Sequence, residues 1–577
     1  MQVAHKIHTK KIFFLFVGMT LMLIIIFMRL AYLQIHLNEL LHVQSKKNFL
    51  RMEVIKPARG NIVDCHGTLL ATNRPVHNLY WCGGGKQTIT EEYRQMLEKI
   101  ELIIGSPILS NTHLVDDIRR AERQQNRVLL KGDLSFEKLC QLEELFPEGD
   151  SLCIETEFQR FYPHEFCASH LLGYLGNIKV DPQGRMGIEQ IWEDQLRGKQ
   201  GVQQKTINSV GRSLMVQTIE EALAGTDIRT TLDLNIQQLI ETIFPEDANG
   251  TCILMKPGDG SIVALVSRPN FDPNKFLAPL LTADWQAMQE EQLFLNRAFS
   301  ASYPPGSIFK LVTASAALQE NIITQETCWF CRGYITFADR KYRCQCHKTW
   351  GNAELTAKQA LARSCNTFFY EIGKKIPIDT LANYAHRFGL GEKTSSSFPE
   401  KTGLIPTNRW KMQTKGERWW PGETLQATIG QSFLLVTPIQ IARMIASIFT
   451  GYLVAPRIVA DEPIVQVPLN IARSTREFLQ DSMKSVATQG TGQRMSRLKD
   501  FEIFAKTSTA QTSGLEKRDL GNEYLEHGWF VGHFQYKQYE PLVLVLLIEN
   551  AGTARIATGV AKKFLLEYKK FMDMTHA

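Results

Sequence analysis

The sequence predicts an α+β protein in three parts. These are a membrane-spanning helix near the N-terminus, a mixed α+β region over residues 34–225, and a larger α+β region over residues 226–573. Three observations carry this reading. An uncharged apolar run fills Ile12–Met28. Helix-like and strand-like periodicities alternate from residue 34 to 225. From 226 onward, strand patterns stand at both ends of a long helical stretch, which implies one sheet closed by distant segments and covered by helices. The 577 residues are 44% hydrophobic and 21% charged, globular proportions that exclude wholesale disorder. A net charge of +6 is small for this length. With no zinc-finger spacing over a basic helix and no aromatic–basic platform, nucleic acid is not an expected partner.

The apolar run, extended by Leu30–Leu33, makes residues 12–33 long enough to cross a bilayer. Lys6, Lys10 and Lys11 lie in the preceding residues 1–11, so the positive-inside rule keeps that tail in the cytoplasm. A cleaved signal peptide is the rival reading. The run is longer than a usual signal core, and Arg29 with bulky neighbours stands where small residues should mark a cleavage site. The expectation is an uncleaved single-pass anchor in the cytoplasmic membrane, with the rest of the chain outside the cytoplasm.

Beyond the anchor, Gln34–Lys47 has helical spacing. Pro57–Asp64 reads as a turn and a short strand. Glu91–Ile104 and Ser135–Phe146 read as amphipathic helices, and Ile188–Leu196 as a helix ending at Gly198. Phe158–Gly176 reads as an aromatic loop. In the larger region, Leu234–Phe244 is helical, and Cys252–Met255 and Ile262–Val266 are strands around the turn Pro257-Gly258-Asp259-Gly260. Helices dominate from Phe309 to about Phe449. Strands are expected at Phe501–Thr509, Trp529–Phe534 and Leu542–Glu549, with a last helix at Gly559–Met572.

Three short segments could do chemistry. In Tyr303-Pro304-Pro305-Gly306-Ser307-Ile308-Phe309-Lys310, a Pro-Pro-Gly turn ends where a helical pattern begins. The spacing of Ser307 and Lys310 puts both on one helix face. A serine hydroxyl needs a base to become a nucleophile, and a neutral lysine can serve. The helix start would also aim free N–H groups at an oxyanion. Ser364-Cys365-Asn366, between two helical segments, could offer a hydroxyl and an amide to a proton relay. Lys506-Thr507-Ser508-Thr509 sits on an expected strand and could bind a carboxylate through its charge and hydroxyls. Each pattern alone is common.

Together and in this order, Ser-x-x-Lys, Ser-x-Asn and a Lys-Thr-Gly-like triplet resemble the signature of penicillin-binding proteins and serine β-lactamases. The chain is similar over nearly its whole length to class B penicillin-binding proteins, and within them to the elongation branch. The supporting motifs are Arg59-Gly60-Asn61-Ile62-Val63-Asp64, Arg160-Phe161-Tyr162-Pro163, His170-Leu171-Leu172-Gly173-Tyr174, Gly187-Ile188-Glu189 and Asn296-Arg297-Ala298. The resemblance implies a pedestal or dimerisation domain over 34–225. It implies a penicillin-binding transpeptidase domain over 226–573, with an antiparallel, β-lactamase-like sheet. It also implies roles. Ser307 attacks the D-Ala-D-Ala end of a peptidoglycan stem peptide, with Lys310 as base. Ser364 and Asn366 complete the relay. Lys506 and Thr507 hold the donor carboxylate beside Ser508 and Thr509, and the N–H groups of Ser307 and Thr509 form the oxyanion hole. No cofactor is required for this catalysis. β-Lactams would trap Ser307, and a polytopic glycan-polymerising glycosyltransferase is the implied partner.

Two look-alike triplets, Lys401-Thr402-Gly403 and Lys393-Thr394-Ser395, lie in a turn-rich stretch with Pro399 and Pro406 and lack a flanking strand. Ser508 departs from the family pattern, which has glycine there, and Ser432 replaces another usual glycine. These departures bear on substrate fit rather than reaction type. Of the 11 cysteines, Cys328, Cys331, Cys344 and Cys346 fall in one window, with His347 adjacent. That spacing suits structural zinc, and a pair of disulfides is the alternative. Cys365 reads as a packing residue. Competing functions on the same fold are a septal transpeptidase, a D,D-carboxypeptidase and a β-lactamase. A reading of another class is a non-catalytic β-lactam-binding sensor or scaffold.

Overall fold

The computed structural model describes residues 2–575 except 86–87, 125, 147–150, 177–181, 208–212, 279 and 513–519, and leaves the side chains of 2–10, 46–48, 207, 213 and 347 undescribed. The chain forms two compact units that interleave in sequence. One holds Met1–Ala58, Arg74–Gln159 and Gly198–Gly225; the other holds Arg59–Asn73, Arg160–Arg197 and Thr226–Ala577. Residues 59–73 and 160–197, inside the region read as a pedestal, therefore pack with the second unit.

The first unit begins with helix α1 (Gln2–Ala31). Its apolar residues from Ile12 to Phe27 are exposed on every face. The apolar helical stretch Lys11–His36 has 26 residues. At 1.5 Å per residue it is about 39 Å long, enough to span a bilayer with some tilt. Strand β1 (Leu50–Ile55) follows, and strand β2 (Leu69–Cys82) enters from the second unit. Helix α2 (Glu91–Ile104) starts where the Thr90 hydroxyl accepts the Tyr93 N–H and stops at Gly105, with φ at 63°. Its Leu97, Ile100 and Ile104 share one face and enter a small core with Leu79, Trp81 and Ile118. Helix α3 (Thr112–Gln124), strand β3 (Arg127–Lys131), helix α4 (Phe136–Leu145) and strand β4 (Leu152–Phe161) complete that layer. Strand β4 corrects the expected loop at Phe158. Leu152, Ile154 and Phe158 alternate with Glu155, Glu157 and Gln159, a period-2 strand pattern that the aromatic-loop reading passed over, and the strand pairs with β2. Strands β5 (Gly201–Ile207) and β6 (Ser213–Glu220) join β1 in a separate antiparallel sheet, with Leu50 opposite Thr206.

The second unit is built on one antiparallel sheet. Strands β7 (Gly250–Met255) and β8 (Ile262–Arg268) form its first hairpin. Strands β9 (Phe501–Ala510), β10 (His527–Tyr536) and β11 (Leu542–Ile548) arrive from the far end of the chain. The order is β8-β7-β11-β10-β9. This is the sheet closed by distant segments. Every residue of β11 is buried, because both faces are covered. Its alternation sorts the side chains into two cores: Val543, Val545 and Leu547 face one, while Leu542, Leu544, Leu546 and Ile548 face the other. The second core is closed by helix α5 (Leu234–Ile243) and the C-terminal helix Ala554–Thr575. The first holds helix α6 (Lys310–Gln319), helix α7 (Asn366–Gly373) and helix α8 (Pro438–Thr450). Helix α8 has Thr437 and Gln440 in a capping box, Pro438 in its first turn, and Gly451 at φ 83° closing it.

One ion network organises the N-terminal segments of this unit. Glu189 is fully buried and accepts Arg59 Nε at 2.6 Å, Arg160 Nε at 2.7 Å and the Tyr162 hydroxyl at 3.1 Å. Arg59 also reaches Glu193. The expected helix Ile188–Leu196 breaks at Trp192 into Gly187–Ile191 and Glu193–Arg197, and Trp192 packs on Phe398. Burial raises the Glu189 pKa, but the Arg160 and Arg59 guanidiniums outweigh it and hold the carboxyl below its usual range. Removing one partner of such a group leaves buried charge uncompensated. Glu189→Ala is therefore expected to cost about 3–5 kcal/mol of stability, and Glu189→Gln less. Thermal and denaturant unfolding of the detergent-solubilised chain measures this, and an unchanged midpoint for the alanine variant would refute it.

Candidate active site

The Ser307 turn is clamped before its helix begins. Tyr303 exchanges backbone hydrogen bonds with Val436, and Gly306 N–H donates to Gly430 O at 2.9 Å. The Tyr303 hydroxyl donates to Glu549 at 2.6 Å, and Arg297 donates to the same oxygen at 3.0 Å. Gly306 has φ 53° and Gly430 φ 73°, both left-handed. The expected α-helix at Ile308 starts instead with a 3-10 turn, Gly306–Phe309, and becomes α6 at Lys310. The 3-10 turn carries Ser307, and Lys310 opens the α-helix one turn on, so both leave the same side of the segment.

Lys310 is fully buried. Its Nζ donates to Ser364 O at 2.8 Å, Asn366 Oδ1 at 2.7 Å and Ser364 Oγ at 3.3 Å. Lys506, on β9, is also fully buried and donates to Ser364 Oγ at 3.1 Å and Thr507 O at 2.9 Å. One hydroxyl thus lies between two lysines. Burial pushes Lys310 down to about 8, with the thiols of Cys344, Cys365 and Cys346 pulling it up. Burial, then the charge of Lys310, pushes Lys506 well below its ordinary value. Two cations without carboxylates so close together favour loss of a proton from the pair. Ser364 itself has φ 53°, strained for a residue other than glycine.

The third segment continues along β9. Thr507 is buried and donates to Thr491 Oγ1 at 2.6 Å. Ser508 is 2% exposed, and its Oγ accepts the Ser307 N–H at 2.8 Å. Thr509 is exposed, and its hydroxyl accepts the Ala554 N–H at the start of the last helix. All three motifs meet in one place. The look-alike triplets do not join them: Thr394 is bonded to Glu400, and Gly403 packs against Leu435. Ser432 has φ 70°, which glycine would adopt without strain.

The cysteines regroup. Cys331, Cys344, Cys346 and Cys365 are all buried, with sulfurs within 4.8 Å of one another. Cys331–Cys346 are 3.5 Å apart, Cys344–Cys346 3.2 Å and Cys344–Cys365 3.8 Å. Cys328 stands outside this group and is exposed. Cys328–Cys331 is a strand rather than a turn, so residues three apart point to opposite faces. His347's side chain lies outside the described residues. Sequence reasoning missed Cys365. The signal was present, since it adjoins Ser364 and Asn366, but no spacing rule joins it to residues 331–346. The cluster touches the site directly, because Asn366 N–H donates to Cys344 Sγ at 3.1 Å. In the first unit, Cys82 and Cys153 form a disulfide that the spacing did not reveal.

Comparisons with known proteins give the family. Residues 250–566 match the penicillin binding protein transpeptidase domain, and residues 54–230 match the penicillin-binding protein dimerisation domain. The chain belongs to the penicillin-binding protein transpeptidase family. Over 98% of its length it is 28% identical to the peptidoglycan D,D-transpeptidase MrdA of Acinetobacter baumannii, covering 89% of that protein. It matches the penicillin-binding protein PBP2 of Helicobacter pylori, solved in complex with MreC, with a TM-score of 0.78 and 25% identity, over 91% of this chain and 99% of that one. It also matches a chain from a peptidoglycan synthase complex that coordinates polymerization and crosslinking, with a TM-score of 0.73 and 29% identity, over 96% and 97% of the two chains.

The clamp on the Ser307 turn makes a test. A Cβ on Gly430 would lie 2.1 Å from Gly306 O, in a left-handed backbone region. Gly430→Ala is expected to destabilise by at least about 1–2 kcal/mol and to displace Ser307. Thermal unfolding and fluorescent-penicillin labelling should both fall. A variant with wild-type labelling would show that the turn does not depend on this contact.

Proposed function

We propose that this chain is a membrane-anchored peptidoglycan D,D-transpeptidase of cell elongation, acting through an acyl-enzyme on Ser307. The observation that carries the reading is the Ser364 hydroxyl held between Lys310 and Lys506 beside the Ser307 turn. In the neutral form Lys310 Nζ has a lone pair and takes the Ser307 proton. The Ser307 Oγ–carbon bond then forms, and the carbonyl electron pair moves to oxygen, held by the N–H groups of Ser307 and Thr509. Collapse breaks the C–N bond and expels D-alanine, whose nitrogen takes the proton returned through Lys310 and Ser364. The amine of a second stem peptide reverses the sequence and becomes cross-linked. Asn366 holds Lys310 in place, and Lys506 with Thr507 receives the donor carboxylate. In a β-lactam the breaking C–N bond belongs to the ring, so the leaving group stays attached and the acyl-enzyme persists.

Residues 12–33 anchor the chain with 1–11 in the cytoplasm, and residues 34–58, 74–159 and 198–225 form the pedestal of the transpeptidase domain at 226–573. The Lys6, Lys10 and Lys11 flank supports that orientation. The Cys82–Cys153 disulfide supports an oxidising compartment. The partner expected in the membrane is a polytopic glycan polymerase, by analogy with the synthase complex above.

A second reading concerns the four cysteines. Zinc bound at about 2.3 Å to four thiolates places sulfurs about 3.8 Å apart, close to the separations above, whereas a disulfide needs about 2.05 Å. Cys331, Cys344, Cys346 and Cys365 would hold the ion, which supplies folding energy and fixes the Ser364–Asn366 segment.

Three outcomes are expected. Fluorescent penicillin labels the wild-type chain, and Ser307→Ala abolishes the label; persistent label would mean another nucleophile. The acylation rate rises with pH through about 8, because only neutral Lys310 acts as base and its neutral fraction falls tenfold per unit below that value. A flat profile from pH 6 to 9 would count against Lys310. Purified protein carries one zinc, and Cys365→Ser lowers that stoichiometry. Oxidised cysteines with no bound metal would sink the zinc reading.

A further inference from the structure

Ser508 is a buried polar group at the site that the proposed reaction leaves without a task. It stands where the family pattern has glycine. Its side chain lies on the same face of β9 as Lys506, 2% exposed, and reaches under the nucleophile's turn. Its Oγ accepts the Ser307 N–H at 2.8 Å. The space it fills is tight: a Cβ on Gly306 would come within 2.3 Å of that oxygen. In the reaction above, the same N–H is one of two donors for the developing oxyanion. A backbone N–H makes one strong hydrogen bond, so it cannot serve the oxyanion while Ser508 holds it.

We propose that Ser508 is a latch on the oxyanion hole. In the resting protein its hydroxyl satisfies the Ser307 N–H and keeps the hole closed. Entry of an acyl carbonyl requires rotation of the Ser508 side chain, which releases the N–H. The latch raises the barrier to acylation for any acyl donor and most affects donors with few other contacts, such as small β-lactams. Ser508 is thus a positioning residue, setting how readily the hole forms and, through it, which donors acylate Ser307. The inference rests on the reading of Ser307 as nucleophile.

The test compares Ser508→Ala and Ser508→Gly in the full-length, detergent-solubilised protein, using a fluorescent penicillin at fixed pH. Alanine keeps the Cβ and removes only the hydroxyl. Loss of one neutral hydrogen bond from the resting state should speed acylation about five- to tenfold in the alanine and glycine variants. The gain should appear in the limiting acylation rate at saturating penicillin, with half-saturation unchanged. The peptide carrying Ser307 should also exchange its amide hydrogen faster in Ser508→Ala. An alanine variant that folds with an unchanged unfolding midpoint yet acylates no faster than wild type would overturn the latch. Ser307→Ala in the Ser508→Ala background separates the two ideas, since label there would defeat the nucleophile reading instead.

Discussion

Two lysines buried within reach of one serine hydroxyl set the terms for this molecule. Lys310 and Lys506 are both fully buried and both bond to Ser364 Oγ. Neither has a carboxylate partner among its hydrogen bonds. Desolvation and mutual repulsion make a fully charged pair costly, so the pocket favours a free amine at ordinary pH. That cost must be met by the fold around it. The sheet brings Lys506 on β9, α6 brings Lys310, and the bend at Ser364 brings the shared hydroxyl in a strained backbone state.

The support behind that pocket is layered. Gly430 and Val436 clamp the Ser307 turn through the backbone, while Glu549 ties Tyr303 and Arg297 to the end of β11. The four-cysteine cluster lies directly behind the Ser364–Asn366 segment and donates one of its members, Cys365, to it. A metal there would brace the relay without touching substrate, which is how outer groups commonly orient reacting ones. Local chemistry that looks peripheral in the sequence is thus two hydrogen bonds away from Lys310, through Asn366.

The order and chemistry of the three motifs were legible in the sequence, because each is short and local. The strands of the central sheet were legible for a similar reason. Leu542–Ile548 is a continuous apolar run, long enough for a strand covered on both faces and too short for a buried helix. Other elements were not. The helix expected at Ile188–Leu196 broke at Trp192, whose packing partner Phe398 is far away in sequence. Strand Leu152–Phe161 alternates Leu152, Ile154 and Phe158 with polar residues, but the aromatic, loop-like texture from Phe158 onward masked that short period-2 signal. The helix expected at Ile308 begins as a 3-10 turn, because the backbone before it is tied to Gly430.

The sequence by itself determined the family, the apolar N-terminal helix and the identity of Ser307, Lys310, Ser364, Asn366 and Lys506 as candidates, since residue type and local spacing carry that information. Only the tertiary structure decided which atoms meet. It placed Ser364 between two lysines drawn from opposite ends of the domain. It exchanged Cys328 for Cys365 in the sulfur cluster, because a strand turns residues three apart to opposite faces and a distant loop supplies the fourth sulfur. It set the Ser508 hydroxyl on the Ser307 N–H across 201 residues of sequence. Contacts of that range depend on how the sheet closes, and no local pattern encodes them.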